Sequence, residues 1–172
     1  MRSVVLVGLM GAGKSTAGSL VAAATGRPFV DVDASIVERT GKTVRQLWET
    51  GGEEAYRQLE SRVVLDTLET RSGVVLAAPG GVVLDAAVRA ARVGSFVVWL
   101  RADPTSLADR VERDDHRPLL GDDPLNLLTM MARDRSELYE HVADLVVDSD
   151  RHSALEVAEM VLAALRVLPT DR

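Results

Sequence analysis

Short, almost continuously apolar runs alternate along the chain with longer stretches whose apolar positions recur every three to four residues. The runs at Ser3–Val7, Phe29–Val32, Val74–Ala78, Phe96–Leu100 and Asp144–Val147 are rich in β-branched residues and predict strands buried on both faces. The stretches between them predict helices over about 14–25, 34–49, 52–70, 85–92, 104–113, 124–142 and 153–167. In the last of these, Leu155, Ala158, Leu162 and Leu165 fall on one apolar stripe. This alternation predicts an α/β fold with a central, mostly parallel five-stranded sheet and helices on both faces. No repeat, low-complexity segment or linker interrupts the pattern, so residues 1–172 are expected to form one domain. One stretch departs from it. Arg113–Pro124 (RDDHRPLLGDDP) is charged, aperiodic and carries Pro and Gly, and such a loop is either filler or a mobile lid over a site.

Composition narrows the setting. With 47% apolar residues the chain can build a sizeable core, and with no cysteine it has neither disulfides nor thiolate metal ligands. The net charge of −6 argues against nucleic acid as a partner. No apolar run approaches the roughly 20 residues of a membrane span. The glycine-rich start MRSVVLVGLMGAGKS is unlike a signal peptide. A soluble, cytoplasmic protein with no membrane partner is expected. Only Lys14 and Lys42 are lysines and the other 18 basic residues are arginines, so each arginine is weighed by its position as a binder of planar anions.

The strongest chemical signal follows the first predicted strand. Gly8-Leu-Met-Gly11-Ala12-Gly13-Lys14-Ser15 fits the phosphate-binding pattern G-x-x-x-x-G-K-[ST], with Thr16 next and a helix beginning at once. Glycines let the backbone turn tightly and aim successive N–H groups at phosphate oxygens, and the helix N-terminus adds its positive dipole end. Lys14 would neutralise the β- and γ-phosphates, and the Ser15 hydroxyl would ligate Mg²⁺. The motif implies a nucleoside triphosphate, with ATP as co-substrate of a kinase the best fit. A guanine-reading Asn-Lys-x-Asp is absent, because the sole asparagine, Asn126, precedes Leu127. The extra length and signatures of motor and transport ATPases are absent too.

Further candidates cluster after the other strands. Asp31-Val32-Asp33 ends the second, at the sheet edge that also carries the phosphate loop. Two carboxylates at i, i+2 on a strand point the same way, so Asp31 would serve Mg²⁺ and Asp33 a reacting hydroxyl; alternatively, Asp33 caps the next helix. Arg57 and Glu60 stand three apart on one helical face, either as functional groups or as an exposed ion pair. Pro79-Gly80-Gly81 follows the third strand, where paired glycines permit close backbone approach to a ligand. Arg117 precedes Pro118 in the aperiodic stretch, and Arg135 stands in Arg-Ser-Glu-Leu-Tyr on a long predicted helix.

In order and spacing, Gly8–Thr16, Asp31-x-Asp33, Tyr-Arg57-Gln-Leu-Glu60, the glycine turn, Arg117-Pro-Leu-Leu and Arg135-x-x-Leu-Tyr resemble the shikimate kinases, from about residue 3 to 167. The resemblance implies a three-layer P-loop kinase fold, Mg²⁺ and ATP, and phosphorylation of a hydroxyl of shikimate by a monomer. It further implies that Asp33 holds the acceptor hydroxyls, that Arg57 and Arg135 grip its carboxylate, and that Gly80 and Gly81 set N–H groups against it. Residues of about 33–60 would form the acceptor-binding segment. Gly11, Ala12, Gly13, Lys14, Ser15 and Thr16 would bind the nucleotide, with Arg110 on the adenine beside the loop of Asp148–Ser153, including Arg151. Lys14, Asp33 and Arg117 would be catalytic, and Ser15 and Asp31 would serve the metal. Two departures stand near the acceptor: Pro79 occupies a position where the family has glycine, and Glu137 one where proline is common. A kinase for another small hydroxy acid such as gluconate, or a nucleotide-binding regulatory module, are the alternative readings.

If Arg117 acts on the transferring phosphoryl group, Arg117→Ala should lower kcat far more than ATP affinity, by up to the roughly 10³–10⁵ typical of arginine fingers. Near-normal kcat in steady-state kinetics would refute that role.

Overall fold

The structure, a computed structural model, describes residues 1–111 and 123–167. Five strands, β1 (Val4–Val7), β2 (Phe29–Asp31), β3 (Val75–Ala77), β4 (Phe96–Arg101) and β5 (Leu145–Asp148), form one sheet in the order β2-β3-β1-β4-β5. Every pairing is parallel, as expected for strands joined by helical crossovers. The helices are α1 (Lys14–Thr25), α2 (Val32–Thr40), α3 (Val44–Thr70), α4 (Ala86–Ala91), α5 (Pro104–Val111), α6 (Pro124–Val142) and α7 (Ala154–Val167), with a 3₁₀ turn at Val82–Leu84 before α4.

β1 is buried along its whole length because both faces are covered. Leu6 faces α1, meeting it where Gly18 leaves room beside Phe29. Val5 and Val7 face the other way, onto Val64 and Leu68 of α3, Val88 of α4 and Val142 of α6. The two sides are thus assigned by strand alternation. α7 closes the α1 face, placing Val157, Ala158 and Val161 in the core.

Local signals explain where the helices start and stop. α1 ends at Gly26, whose positive φ of 65° lets its N–H reach back to the carbonyls of the last turn. The single helix predicted over 34–49 is two helices. α2 ends at Gly41, and α3 starts with a capping box in which Thr43 Oγ1 accepts from Gln46 N and Gln46 Oε1 accepts from Thr43 N. α3 is itself kinked at Gly52, whose φ of 77° and ψ of 175° lie outside the helical region, close to the predicted break between 49 and 52. Asp123 caps α6 through Asn126 N and Pro124 occupies its first turn. These two residues therefore belong to the helix and not to the predicted loop of 113–124, whose residues 113–122 lie outside the described part. Among the described residues no helix is long and apolar enough to cross a membrane.

The register brings Leu6, Asp31 and Ala77 level across β1, β2 and β3. The phosphate loop, the two aspartates and the Pro79–Gly81 turn consequently leave the sheet from one edge.

Candidate active site

At that edge lies an open cavity of about 550 Å³. It is lined by Gly11, Gly13, Lys14, Ser15 and Thr16 of the phosphate loop, by Asp31 and Asp33, by Tyr56, Arg57 and Glu60, by Pro79, Gly80 and Gly81, and by Arg110 and Arg135. Ala12 is buried and borders a second, smaller cavity of about 180 Å³ beyond the loop. Arg117 lies outside the described residues. Arg151 is exposed and does not line either cavity; Ser149 and His152 from the same loop line the smaller one.

Lys14 lies across the mouth of the phosphate loop, its Nζ donating to the carbonyls of Gly8 and Leu9 at 2.9 Å each. Arg110 is tied on two sides, to the carbonyls of Gly11 (3.2 Å) and Ser149 (3.1 Å). These bonds hold its planar group along the opening shared by the two cavities.

The Asp-x-Asp pair is arranged differently from the strand-based expectation. β2 ends at Asp31, which caps α2 by accepting from Ala34 N at 3.2 Å, so Asp33 already sits in the first helical turn. The cap is Asp31, not Asp33, and the i, i+2 spacing spans a strand–helix junction instead of one strand face. Each carboxylate consequently has its own partner. Asp31 accepts from the Ser15 hydroxyl, while Asp33 Oδ1 accepts from the Tyr56 hydroxyl at 3.3 Å. Burial, with Asp33 and Glu60 nearby, pushes the Tyr56 phenol well above its ordinary value, so it stays a donor.

The fit of a magnesium ion can be judged from the donors present. A hydroxyl and a carboxylate in direct contact, the hydroxyl on the residue after the phosphate-loop lysine, are the hard oxygen ligands that Mg²⁺ accepts. No group of three or more ligating side chains occurs among the described residues. This is compatible with Mg²⁺, which takes one or two protein ligands and completes its shell with water and phosphate oxygens.

Arg57 and Glu60 do pair, at 2.7 Å, but not on the surface: Glu60 is only 3% exposed. Burial pushes its carboxyl up to about 7, against the pull of Arg57 and, more weakly, Arg135. For Arg57 burial works against the charge, yet Glu60 more than offsets it and the pKa rises. The Arg57 guanidinium also lies over Trp48, 5.4 Å from the ring centroid, and its Nε comes within 3.5 Å of Glu53. On the far wall Arg135 is 7% exposed, buried although charged. Glu137 on the same helix faces solvent and leaves Arg135 alone.

The paired glycines serve a nearer neighbour than a ligand. A Cβ at Gly81 would stand 2.4 Å from Arg57 Nη1, so only glycine lets that guanidinium lie against the turn. Pro79 does not open the turn, because its carbonyl accepts from Val82 N at 3.2 Å. Tyr56 and Tyr139 escape a reading by charge and glycine spacing. Their signal is that each sits one residue from, or one helical turn after, a site arginine.

The sequence profile described as "Shikimate kinase" matches residues 10–166. A shikimate kinase of Thermobifida fusca is 40% identical over 161 residues, 94% of this chain and 93% of that protein. The solved shikimate kinase from Acinetobacter baumannii in complex with shikimate superposes with a TM-score of 0.91 at 32% identity, covering 96% of this chain and 93% of that one. A gluconokinase from Sinorhizobium meliloti, 21% identical over 96% of this chain and 91% of its own with a TM-score of 0.56, shares the fold alone.

The raised Glu60 carboxyl has a consequence for stability. Between its ordinary value of 4.5 and about 7 the folded chain holds a proton that the unfolded chain has released. Stability should therefore fall as pH rises through that window, by on the order of 2–3 kcal/mol. Thermal melts of wild type and Glu60→Gln between pH 5 and pH 8 check this, since the substituted chain should lose the trend. Parallel curves would show that Glu60 does not titrate there.

Proposed function

The chain belongs to the shikimate kinase family, and we propose that it transfers the γ-phosphoryl group of ATP to a hydroxyl of shikimate through the residues gathered in this cavity. One observation carries the assignment of roles: Asp33, Arg57 and Arg135 line the same cavity as Lys14 and Ser15. Two guanidinium groups in one cavity suit a carboxylate, and a carboxylate in the same cavity suits a hydroxyl.

Phosphoryl transfer depends chiefly on positioning and charge stabilisation. Arg57 and Arg135 hold the acid by its carboxylate, and Gly80 and Gly81 border the ring with backbone. One hydroxyl is thereby directed toward the γ-phosphorus, and Asp33 accepts its proton. Lys14 exchanges its loop carbonyls for phosphate oxygens. Ser15 and Asp31 would hold Mg²⁺, which when bound offsets phosphate charge. Gly11, Ala12, Gly13 and Thr16 cradle the phosphates, and Arg110 lies against the adenine. Arg117, by family resemblance, joins the transferring group. Arg151 keeps at most a peripheral part in nucleotide binding. The enzyme is proposed to act as a monomer in the cytoplasm, whose reducing conditions suit a chain without cysteine.

A coupled ADP-release assay with Mg-ATP tests this, comparing shikimate, quinate, gluconate and no acceptor. Release stimulated by shikimate is expected; release raised only by another acid would move the substrate and point to the Pro79 turn. In the same assay Arg57→Ala should raise KM for the acid by about 10- to 100-fold, the loss of a charge-assisted pair, and leave KM for ATP unchanged. Equal changes in both would make Arg57 structural.

A further inference from the structure

Tyr139 touches neither the phosphate loop's lysine nor the aspartates, yet it joins two acceptor-binding elements. It is 1% exposed, on α6 one turn after Arg135, with its ring stacked on Trp99 of β4 (centroids 5.5 Å apart, planes 24° apart). Its hydroxyl donates to the carbonyl of Gly80 at 2.6 Å. Burial pushes the phenol up to about 12, so it remains a donor.

A trans peptide points its C=O and its N–H in opposite directions. Fixing the Gly80 carbonyl toward α6 therefore fixes the Gly81 N–H away from it, on the side of the cavity that Gly80 and Gly81 line. Gly81 is buried, and among the described residues its N–H meets no backbone acceptor. A buried N–H without a partner is a donor held for something else. We infer that Tyr139 is a positioning residue for the acceptor: its hydroxyl sets the Gly80–Gly81 peptide so that the Gly81 N–H faces the bound acid. Two successive glycines would otherwise let the peptide rotate. The inference rests on the acceptor reading of this cavity.

Tyr139→Phe keeps the ring and its stacking on Trp99 and removes only the hydroxyl. Two measurements apply to it: steady-state kinetics, and the amide resonance and hydrogen exchange of Gly81 in the ligand-free protein. KM for shikimate should rise roughly tenfold, the worth of one buried hydrogen bond. KM for ATP and kcat should stay within about twofold, a split that a general loss of structure would not produce. The Gly81 resonance should shift and its exchange quicken. Unchanged KM for shikimate, or a parallel rise in both KM values, overturns the inference, as does an unmoved Gly81 resonance. Should the wild type show no shikimate-dependent ADP release, the acceptor reading fails by itself, and the Gly81 resonance still decides whether Tyr139 sets the peptide.

Discussion

Parallel pairing obliges every strand of a sheet to end on the same edge, and the phosphate loop, the two aspartates and the glycine turn of this protein hang from that edge. β1 is hydrogen-bonded on both sides, to β3 and β4, and buried on both faces. Its exit into Gly8 is therefore held from both sides. β2 and β3 end level with it, at Asp31 and Ala77. The phosphate loop, the Asp31 carboxylate and the glycine turn are brought together by the ladder itself, before any side chain in the site has chosen a partner. Ligands of open α/β sheets collect at such edges for this reason.

The second constraint is charge. Arg57 and Arg135 are both brought into one cavity, which leaves two partly desolvated cations to be compensated. Glu60 answers this from within the wall, paired to Arg57 at 2.7 Å and close enough to Arg135 to be drawn by it. Its own burial opposes ionisation, so the compensation is incomplete near neutral pH. A buried ion pair of this kind is weak evidence for stability and better understood as a device for orienting Arg57. The arrangement favours an arriving carboxylate, which supplies the negative charge that Glu60 only partly provides.

Most of this was legible in the sequence because the signals were local. The phosphate loop is a contiguous motif between a strand and a helix, and all five strands stood out by their apolar β-branched runs. What escaped was decided at junctions. The i, i+2 geometry of Asp31 and Asp33 was read on strand alternation, but the chain turns helical at Val32 because Asp31 finds Ala34 N, and each carboxylate then follows its own partner. The spacing of Arg57 and Glu60 correctly suggested a pair, but a linear pattern does not reveal which face of α3 meets the cavity, and the pair is buried. The break between α2 and α3 was visible in retrospect as Gly41 followed by Thr43-x-x-Gln46. Tyr56 and Tyr139 are buried, and only tertiary contact puts their hydroxyls on Asp33 and Gly80.

The two halves of the site also share atoms, which bears on how they work together. Lys14 donates to the carbonyls of Gly8 and Leu9, and the Gly80 turn rests on the same two residues: a Cβ at Gly80 would stand 3.0 Å from the Gly8 carbonyl oxygen and 3.4 Å from Leu9 Cα. Of the two carbonyls that hold Lys14, that of Gly8 is the one the Gly80 turn leans against. Nucleotide binding and acceptor positioning thus act on one short piece of backbone. A physical link of this kind needs no long pathway through the core, because the sheet edge has already placed both halves within a van der Waals contact of each other. Pro79 fits the same picture. It gives up one N–H, but its fixed φ stiffens the turn on which Gly80 must stay close to the phosphate loop.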